Sequence, residues 1–201
     1  ATKTDANIDQ NDLKSHHAFQ SIEQKLSCTE QNLKPILEKF KPNLFHITGS
    51  KGKSSTSAYI SQLLFNCGLF TSPHMISVRE RIQLKRQGVQ LPISEPDFPK
   101  FYPWNTDLRS PFQKLLQTSM NFFSYHNTPN IVMEVGIGGA TDATSVLAKY
   151  LPQTLVITQI ELEHQNVLGN SLYEIAVHKA LLSSSLTKKV VIDSKNYENA
   201  E

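Results

Sequence analysis

The sequence predicts an α/β fold, a mostly parallel sheet with flanking helices. Three observations carry that expectation. Short apolar runs at 43–48, 130–135, 155–160 and 189–193 alternate with stretches of helical periodicity, the order of parallel β-α-β units. The first run leads directly into Gly49-Ser50-Lys51-Gly52-Lys53-Ser54-Ser55 and then into a helical pattern, which is the order strand, phosphate loop, helix. The composition, 39% hydrophobic and 19% charged over 201 residues, suits a globular domain with one sizeable core.

In chain order, residues 1–12 read as a disordered polar tail. A helix is expected over 13–26, and a second begins at Cys28-Thr29-Glu30 with Thr29 as N-cap. Leu33, Ile36, Leu37 and Phe40 share one face of that second helix, and Lys41-Pro42 ends it. The strand 43–48 and its loop follow. The next helix runs from about Lys53 to Asn66, with Tyr59, Ile60, Leu63, Leu64 and Cys67 at helical spacing and Gly68 closing it. Leu69 to His74 forms a short strand and a turn. Ile82–Leu84 pairs with Val89–Leu91 in a hairpin around Gly88, and Ser94-Glu95-Pro96-Asp97 starts a short helix. Ser110-Pro111 opens a helix to about Tyr125, whose buried face is Phe112, Leu115, Leu116, Ser119, Phe122 and Phe123. The strand 130–135 breaks at Gly136, Gly138 and Gly139. A strand over 155–160, a helix over 171–183 and a last strand over 189–193 complete the pattern.

Composition also excludes some classes. A net charge of +2 gives no electrostatic case for nucleic acid. Two cysteines, Cys28 and Cys67, make no disulfide framework, so a reducing compartment is expected. No apolar run reaches the ~18 residues of a membrane-spanning helix. The polar N-terminus, with Asp5, Asp9 and Asp12, reads as neither a secretory nor a mitochondrial leader.

The chemistry gathers at strand ends, where open parallel sheets place their ligands. In the loop, two glycines let backbone N–H groups converge on an anion, and the following helix start adds its positive dipole end. Lys53 would reach the β- and γ-phosphates, with Ser54 or Ser55 supplying a hydroxyl. The pattern G-x-x-x-x-G-K-[ST] asks for a glycine where Ile47 stands, so this is a compressed loop. Ser72 follows a strand in the proline-fixed turn Thr71-Ser72-Pro73-His74. Glu134 ends a strand of Ile, Val and Met, a costly place for a carboxylate unless it is paired or metal-bound. His164 follows Glu161 and Glu163 beyond the next strand. Ser72 alone would cap a turn, and His164 alone would be a structural hydrogen-bonder. With a phosphate loop, the three fit one Mg·ATP site.

These motifs, taken in order, resemble folylpolyglutamate synthase of the Mur ligase superfamily. The carrying residues are His46-Ile47-Thr48-Gly49-Ser50-Lys51-Gly52-Lys53, Thr71-Ser72-Pro73-His74, Val78-Arg79-Glu80-Arg81-Ile82, Glu134-Val135-Gly136-Ile137-Gly138-Gly139 and Asp142-Ala143-Thr144. His164, Leu168-Gly169-Asn170, Ile175-Ala176 and Lys179 follow, so the resemblance covers about 15–193. It implies a Mur ligase central-domain-like P-loop sheet, truncated: 13–201 would be part of an N-terminal ATP-binding domain, with a C-terminal Rossmann-like domain absent. It implies an ATP-dependent ligase that adds glutamate to the γ-carboxylate of folate through an acyl phosphate. Thr48, Gly49, Ser50, Lys51, Gly52, Lys53, Ser54 and Ser55 would hold the nucleotide. Lys53 and Lys179 would be catalytic, Lys179 as the carbamate that the family carries. Ser72, Glu134 and His164 would ligate Mg²⁺, and a monovalent cation is compatible. Folate and glutamate would be the substrates, with no nucleic acid or membrane partner. A cytoplasmic monomer is expected, and a mitochondrial form is compatible. A non-catalytic nucleotide-binding remnant, a dihydrofolate synthase or another Mur-type ligase stand as alternatives.

Four features depart from the family pattern. Ser54 stands where a glycine usually follows the lysine, and its side chain either crowds the phosphates or points outward. The chain between Cys67 and Thr71 is about four residues short, which leaves the position of Ser72 open. Glu163 replaces an aspartate, and Ala180-Leu181-Leu182 replaces a small-Gly-Ile sequence. Arg79 and Arg81 would meet anionic substrate, or Arg81 would pair with Glu80 or Glu134. An exposed apolar face is expected where the sheet is incomplete.

Overall fold

The structure, a computed structural model, describes residues 10–198, with side chains from Gln20 to Asn196. The helices are α1 (Gln10–Leu37), α2 (Lys53–Leu63), α3 (Phe98–Phe101), α4 (Pro111–Tyr125), α5 (Gln165–Leu168), α6 (Leu172–Ala180) and α7 (Lys195–Glu198). The strands are β1 (Asn43–Thr48), β2 (Cys67–Phe70), β3 (Ile82–Arg86), β4 (Val89–Pro92), β5 (Asn130–Glu134), β6 (Gln153–Ile157) and β7 (Thr187–Ile192). Two 3₁₀ segments, Val78–Arg81 and Ala143–Lys149, complete the described elements.

The seven strands form one sheet in the order β4-β3-β2-β5-β1-β6-β7. β2, β5, β1, β6 and β7 run parallel, and the β3–β4 hairpin adds the antiparallel edge. Its turn residues Gln87 and Gly88 have φ of 50° and 83°, the left-handed pair that a two-residue hairpin turn requires. The expected mostly parallel α/β sheet is therefore present.

The period-two alternation of the central strands divides the core. Leu44, Phe70, Ile131 and Met133 face α1, α4 and the 143–149 segment in the larger cluster, which includes Leu33, Leu37, Leu116 and Phe123. Ile47, Leu69 and Val132 face the other way, toward Ile60 and Leu64 around α2. Glu134 lies two residues after Val132 on β5, so it shares that second face. This places a carboxylate opposite the start of α2.

Four local expectations are corrected. α1 is continuous through 28–30, and residues 10–12 of the expected tail lie within it; residues 1–9 fall outside the described part. Thr29 is no cap: its hydroxyl donates to the Lys25 carbonyl (2.8 Å) and accepts from Gln113 Nε2 (2.7 Å), tying α1 to α4. α2 ends at Leu63, and Gly68 is a strand residue. A Cβ at Gly68 would lie 2.7 Å from the Phe123 ring, so the glycine lets α4 close onto β2. Finally, Tyr59 and Leu63 point outward, 74% and 87% exposed, while Ser57 and Ser61 face the sheet. Ser54, Ser57 and Ser61 lie at helical spacing on one side, and their small size lets the helix sit close to the strands.

α4 matches its expected span, capped by Ser110 and Gln113 in a reciprocal capping box. At the edge of the sheet, β7 leaves Val190, Val191 and Ile192 each 41–47% exposed, Val191 on the side opposite the other two. Among the described residues no helix is long and apolar enough to cross a membrane.

Gly68→Ala should destabilise the chain by about 1–3 kcal/mol through overpacking against Phe123. Ser110→Ala should cost about 1 kcal/mol through the lost cap. Urea denaturation measures both, and an unchanged midpoint for Gly68→Ala would contradict the close β2–α4 contact.

Candidate active site

The parallel strands β2, β5, β1 and β6 are adjacent, so the segments following them emerge side by side. The loop after β1 is built by close approach. Gly49 has φ of 145°, and a Cβ there would stand 1.8 Å from Thr158 Oγ1. Only glycine lets this loop lie against the end of β6, where the Ser50 N–H donates to the Gln159 carbonyl (2.8 Å). Gly52, at φ 83°, begins α2 with no side chain capping it. The first-turn N–H groups of Lys53, Ser54 and Ser55 therefore keep the anion-binding character of a helix start. The Lys53 ammonium donates to the carbonyls of Gly49 (2.9 Å) and Ser50 (3.3 Å), bracing the loop.

A cavity of about 510 Å³ opens above this loop. Ser50, Gly52, Lys53, Ser54, Ser55, Ser72, Glu134 and His164 all line it, so residues far apart in sequence converge. Glu134 is its centre. It is 1% exposed, accepts the Ser54 hydroxyl on Oε1 (2.9 Å) and accepts the Ser72 N–H on Oε2 (3.2 Å). Burial raises its pKa above the ordinary carboxylate value, while the two hydrogen bonds and the charges of Lys53 and Arg81 act against that rise. Among the described residues no ion pair reaches it. A desolvated carboxylate with free lone pairs, a serine and an exposed histidine line this one cavity and offer oxygen and nitrogen donors. That set fits a divalent cation whose remaining ligands are phosphate oxygens and water.

The two open questions at Ser54 and Ser72 have one answer. Ser54 neither points away nor stands unpaired, because its hydroxyl is spent on Glu134. The short approach to Ser72 is taken up because α2 ends at Leu63 and Cys67 starts β2 directly, and Ser72 lines the cavity. The Ser72–Pro73 peptide is cis.

Other expected residues lie outside the cavity lining. The Thr48 hydroxyl turns inward and donates to the Gly138 carbonyl (2.8 Å). Lys51 pairs at the surface with Glu161. Lys179 is fully buried, its Nζ 3.0 Å from Glu163 Oε1. Burial holds Lys179 below the usual lysine range, partly offset by Glu163. Burial also acts to raise Glu163, but the Lys179 hydrogen bond and charge outweigh it and keep this carboxyl below its ordinary value. Arg81 lines the cavity and pairs with neither glutamate; its Nε donates to His74 Nδ1 (2.9 Å). Glu80 instead accepts the N–H groups of Met75, Ile76 and Ser77, and Arg79 donates to the Ile93 carbonyl.

Sequence reasoning missed Phe112, Gly136 and Ile137 as lining residues. Phe112 sits in the first turn of α4, beyond the sheet's carboxyl end, and that position was the available signal. It also missed a second cavity of about 600 Å³ between α1 and the start of α4, lined by Lys25, Cys28, Gln31, Asp107, Arg109 and Gln113.

Comparison with known proteins agrees with this fold. A folylpolyglutamate synthase of Arabidopsis thaliana is 36% identical over 153 residues, covering 68% of this chain and 23% of the relative. A Mycobacterium tuberculosis folylpolyglutamate synthase solved with ADP and AMPPCP superposes with a TM-score of 0.69 at 27% identity, covering 92% of this chain and 46% of that one. A bifunctional folylpolyglutamate synthase/dihydrofolate synthase from Yersinia pestis, complexed with AMPPNP and Mn ion, gives 0.69 at 25% identity, over 83% of this chain and 41% of that one. The chain thus spans about a quarter of the length of the curated relatives it matches, 28%, 23% and 23% for the first three. The family model of the Mur ligase middle domain matches residues 47–200, and the chain belongs to that family.

Proposed function

We propose that this chain is the nucleotide-binding part of an ATP-dependent ligase that adds glutamate to the γ-carboxylate of folate. The observation that carries the reading is Glu134, bridging Ser54 of the phosphate loop and Ser72 of the next strand end inside one cavity. In the reaction, the folate carboxylate attacks the γ-phosphorus of ATP, ADP leaves, and an acyl phosphate forms. The amine of glutamate then adds to that carbonyl. The tetrahedral adduct loses phosphate, leaving a γ-linked amide.

The chain's residues supply position and charge, the main demands of phosphoryl transfer. The N–H groups from Ser50 to Ser55 and the helix start would hold the nucleotide phosphates. Lys53, released from its own loop carbonyls, would follow the charge on the transferred group. Ser72, Glu134 and His164 would hold Mg²⁺, which supplies charge neutralisation on the phosphates. Lys179, whose amine is biased toward neutrality by burial, is the site proposed for a carbamate. As an ammonium it holds Glu163 beside the loop. The second cavity is lined by Ser110 and Gln113, which flank Phe112 of the first in sequence. Its mixed donors and acceptors suit the ring system of folate, with the glutamyl carboxylate reaching toward the nucleotide. Glutamate binding and closure over the site would fall to a region such as the longer relatives carry outside the matched part. The compartment proposed is reducing, in cytosol or mitochondrion, and the protein is read as a monomer.

What supports nucleotide binding by the chain is that Ser72 lines the cavity and donates its N–H to Glu134. Mg·ATP should therefore raise the melting temperature of this chain, and ATP with excess chelator should not. Glu134→Gln should lose that shift. It should also melt higher than the parent without ligand at neutral pH. The folded-state pKa of Glu134 is raised, so its favourable contribution is full below the unfolded value and is lost as pH rises through the folded one. No shift in the parent at millimolar Mg·ATP would sink nucleotide binding by the chain. For Lys179, ¹³C-labelled bicarbonate should give a carbamate resonance that Lys179→Ala lacks; identical spectra would remove the carbamate.

A further inference from the structure

His46, at the buried centre of β1, takes no part in the chemistry above, yet it stands in a continuous line of hydrogen bonds. Its Nδ1 is 3.2 Å from Gln153 Oε1, and its Nε2 is 3.0 Å from Thr144 Oγ1. Thr144 Oγ1 is in turn 2.7 Å from Asp142 Oδ1. The residues come from β1, β6 and the start of the 143–149 segment. His46, Gln153, Thr144 and Asp142 are all at most 5% exposed.

The protons in this line can be counted. Gln153 Nε2 donates to the Leu182 carbonyl (2.9 Å) and to Thr187 Oγ1 (2.8 Å), so it is Oε1 that faces His46. His46 Nδ1 must then carry hydrogen. If the ring is neutral, Nε2 is an acceptor and takes the Thr144 hydroxyl hydrogen. Thr144 has no second hydrogen for Asp142 at 2.7 Å, so the carboxyl must bring its own. A neutral ring beside an ionised Asp142 would leave one acceptor facing another. The line therefore holds one proton more than that pair, on Asp142 or on His46.

Both groups are buried, so a neutral ring beside a neutral carboxyl, which leaves no charge in the core, is favoured over a separated imidazolium and carboxylate. Burial lowers His46 to about 4, against which Gln153 acts weakly. Burial likewise raises Asp142, opposed by Thr144, the Ile137 N–H and the charge of Lys25 on α1. Lys25 is the charged side chain acting on Asp142 from a packed element. His178 of α6 meets the same loop through its backbone carbonyl, which accepts the Ala140 N–H.

Asp142 ties this line to the cavity. Its Oδ2 accepts the N–H of Ile137 (3.2 Å), and its Oδ1 accepts that of Thr144 (2.9 Å). Gly136 and Ile137 are cavity walls beside Glu134. We propose that Gln153, His46, Thr144 and Asp142 form a buried relay holding one proton at the Asp142 end, and that the neutral acid locks the 136–142 loop as a wall of the nucleotide cavity. His46 and Asp142 are then positioning residues. The role assigned to the wall rests on the function proposed above; the proton count does not.

The relay has two limits in pH. The folded value of Asp142 is raised, so its contribution is lost as pH rises through that value. The folded value of His46 is depressed, so its contribution is lost as pH falls through about 4. Heteronuclear NMR of the ¹⁵N-labelled chain reads the ring directly, with His46 assigned through its connectivity to the β1 backbone. From about pH 5 to 8 the ring should stay a neutral Nδ1–H tautomer, where an ordinary histidine titrates. An Nε2–H tautomer or an imidazolium in that range would overturn the proposal without any variant. Thr144→Val should perturb the His46 signals and weaken Mg·ATP about tenfold, the worth of one buried hydrogen bond, and Thr144→Ser should restore both. Unperturbed His46 signals in Thr144→Val would overturn the relay, and unchanged affinity would overturn its link to the cavity wall. If the parent binds no nucleotide, the reading of the cavity fails while the tautomer still decides the relay.

Discussion

A carboxylate buried at the end of a parallel strand is the constraint on which the site depends. Glu134 follows Ile131, Val132 and Met133, so the strand that presents it is itself core. Desolvation at that depth opposes its charge, and the local structure is arranged to answer this. Strand alternation turns Glu134 to the α2 face. The start of α2 supplies the Ser54 hydroxyl, and the end of β2 supplies the Ser72 N–H. One side chain thereby fixes the relative positions of three segments that the sequence keeps up to 80 residues apart.

Close backbone approach makes that arrangement stiff. Gly49 lies against Thr158, and Gly139 lies against α6, where a Cβ would come 2.1 Å from the His178 carbonyl. These contacts need residues without side chains. They explain why the glycines after β1 and β5 act on the site although neither Gly49 nor Gly139 lines the cavity. The buried line from Gln153 to Asp142 serves the same wall from beneath. Lys179, buried and paired with half-buried Glu163, does so from the β6 side.

Much of this was legible in the sequence because it is written locally. The phosphate loop, the hairpin around Gly88 and the Ser110-Pro111 start of α4 are set by turn and cap chemistry within a few residues. The convergence of Ser72, Glu134 and His164 was legible from strand ends alone, since parallel topology brings those ends to one side. What could not be read required long-range contacts. Thr29 looks like a cap until Gln113 is known to reach it. Tyr59 and Leu63 suggest the buried face of α2, but Ser54 and Glu134 set the rotation of that helix. Gly68 looks like a helix end, and only the Phe123 ring shows it to be a packing residue. Arg81, expected to meet anionic substrate or to pair with Glu80 or Glu134, pairs with neither glutamate and donates to its neighbour His74.

The proposed metal–nucleotide site at the three strand ends can be read from Mn²⁺ directly. Electron–nuclear double resonance on Mn²⁺ with a non-hydrolysable ATP analogue, using the chain labelled with ¹⁵N-histidine, reports which nitrogen touches the ion. A coupling to one histidine nitrogen is expected, present only when chain and nucleotide are together and lost in His164→Gln. A Mn²⁺–nucleotide spectrum unchanged by the chain, or a histidine coupling that survives His164→Gln, would contradict a site formed by Ser72, Glu134 and His164.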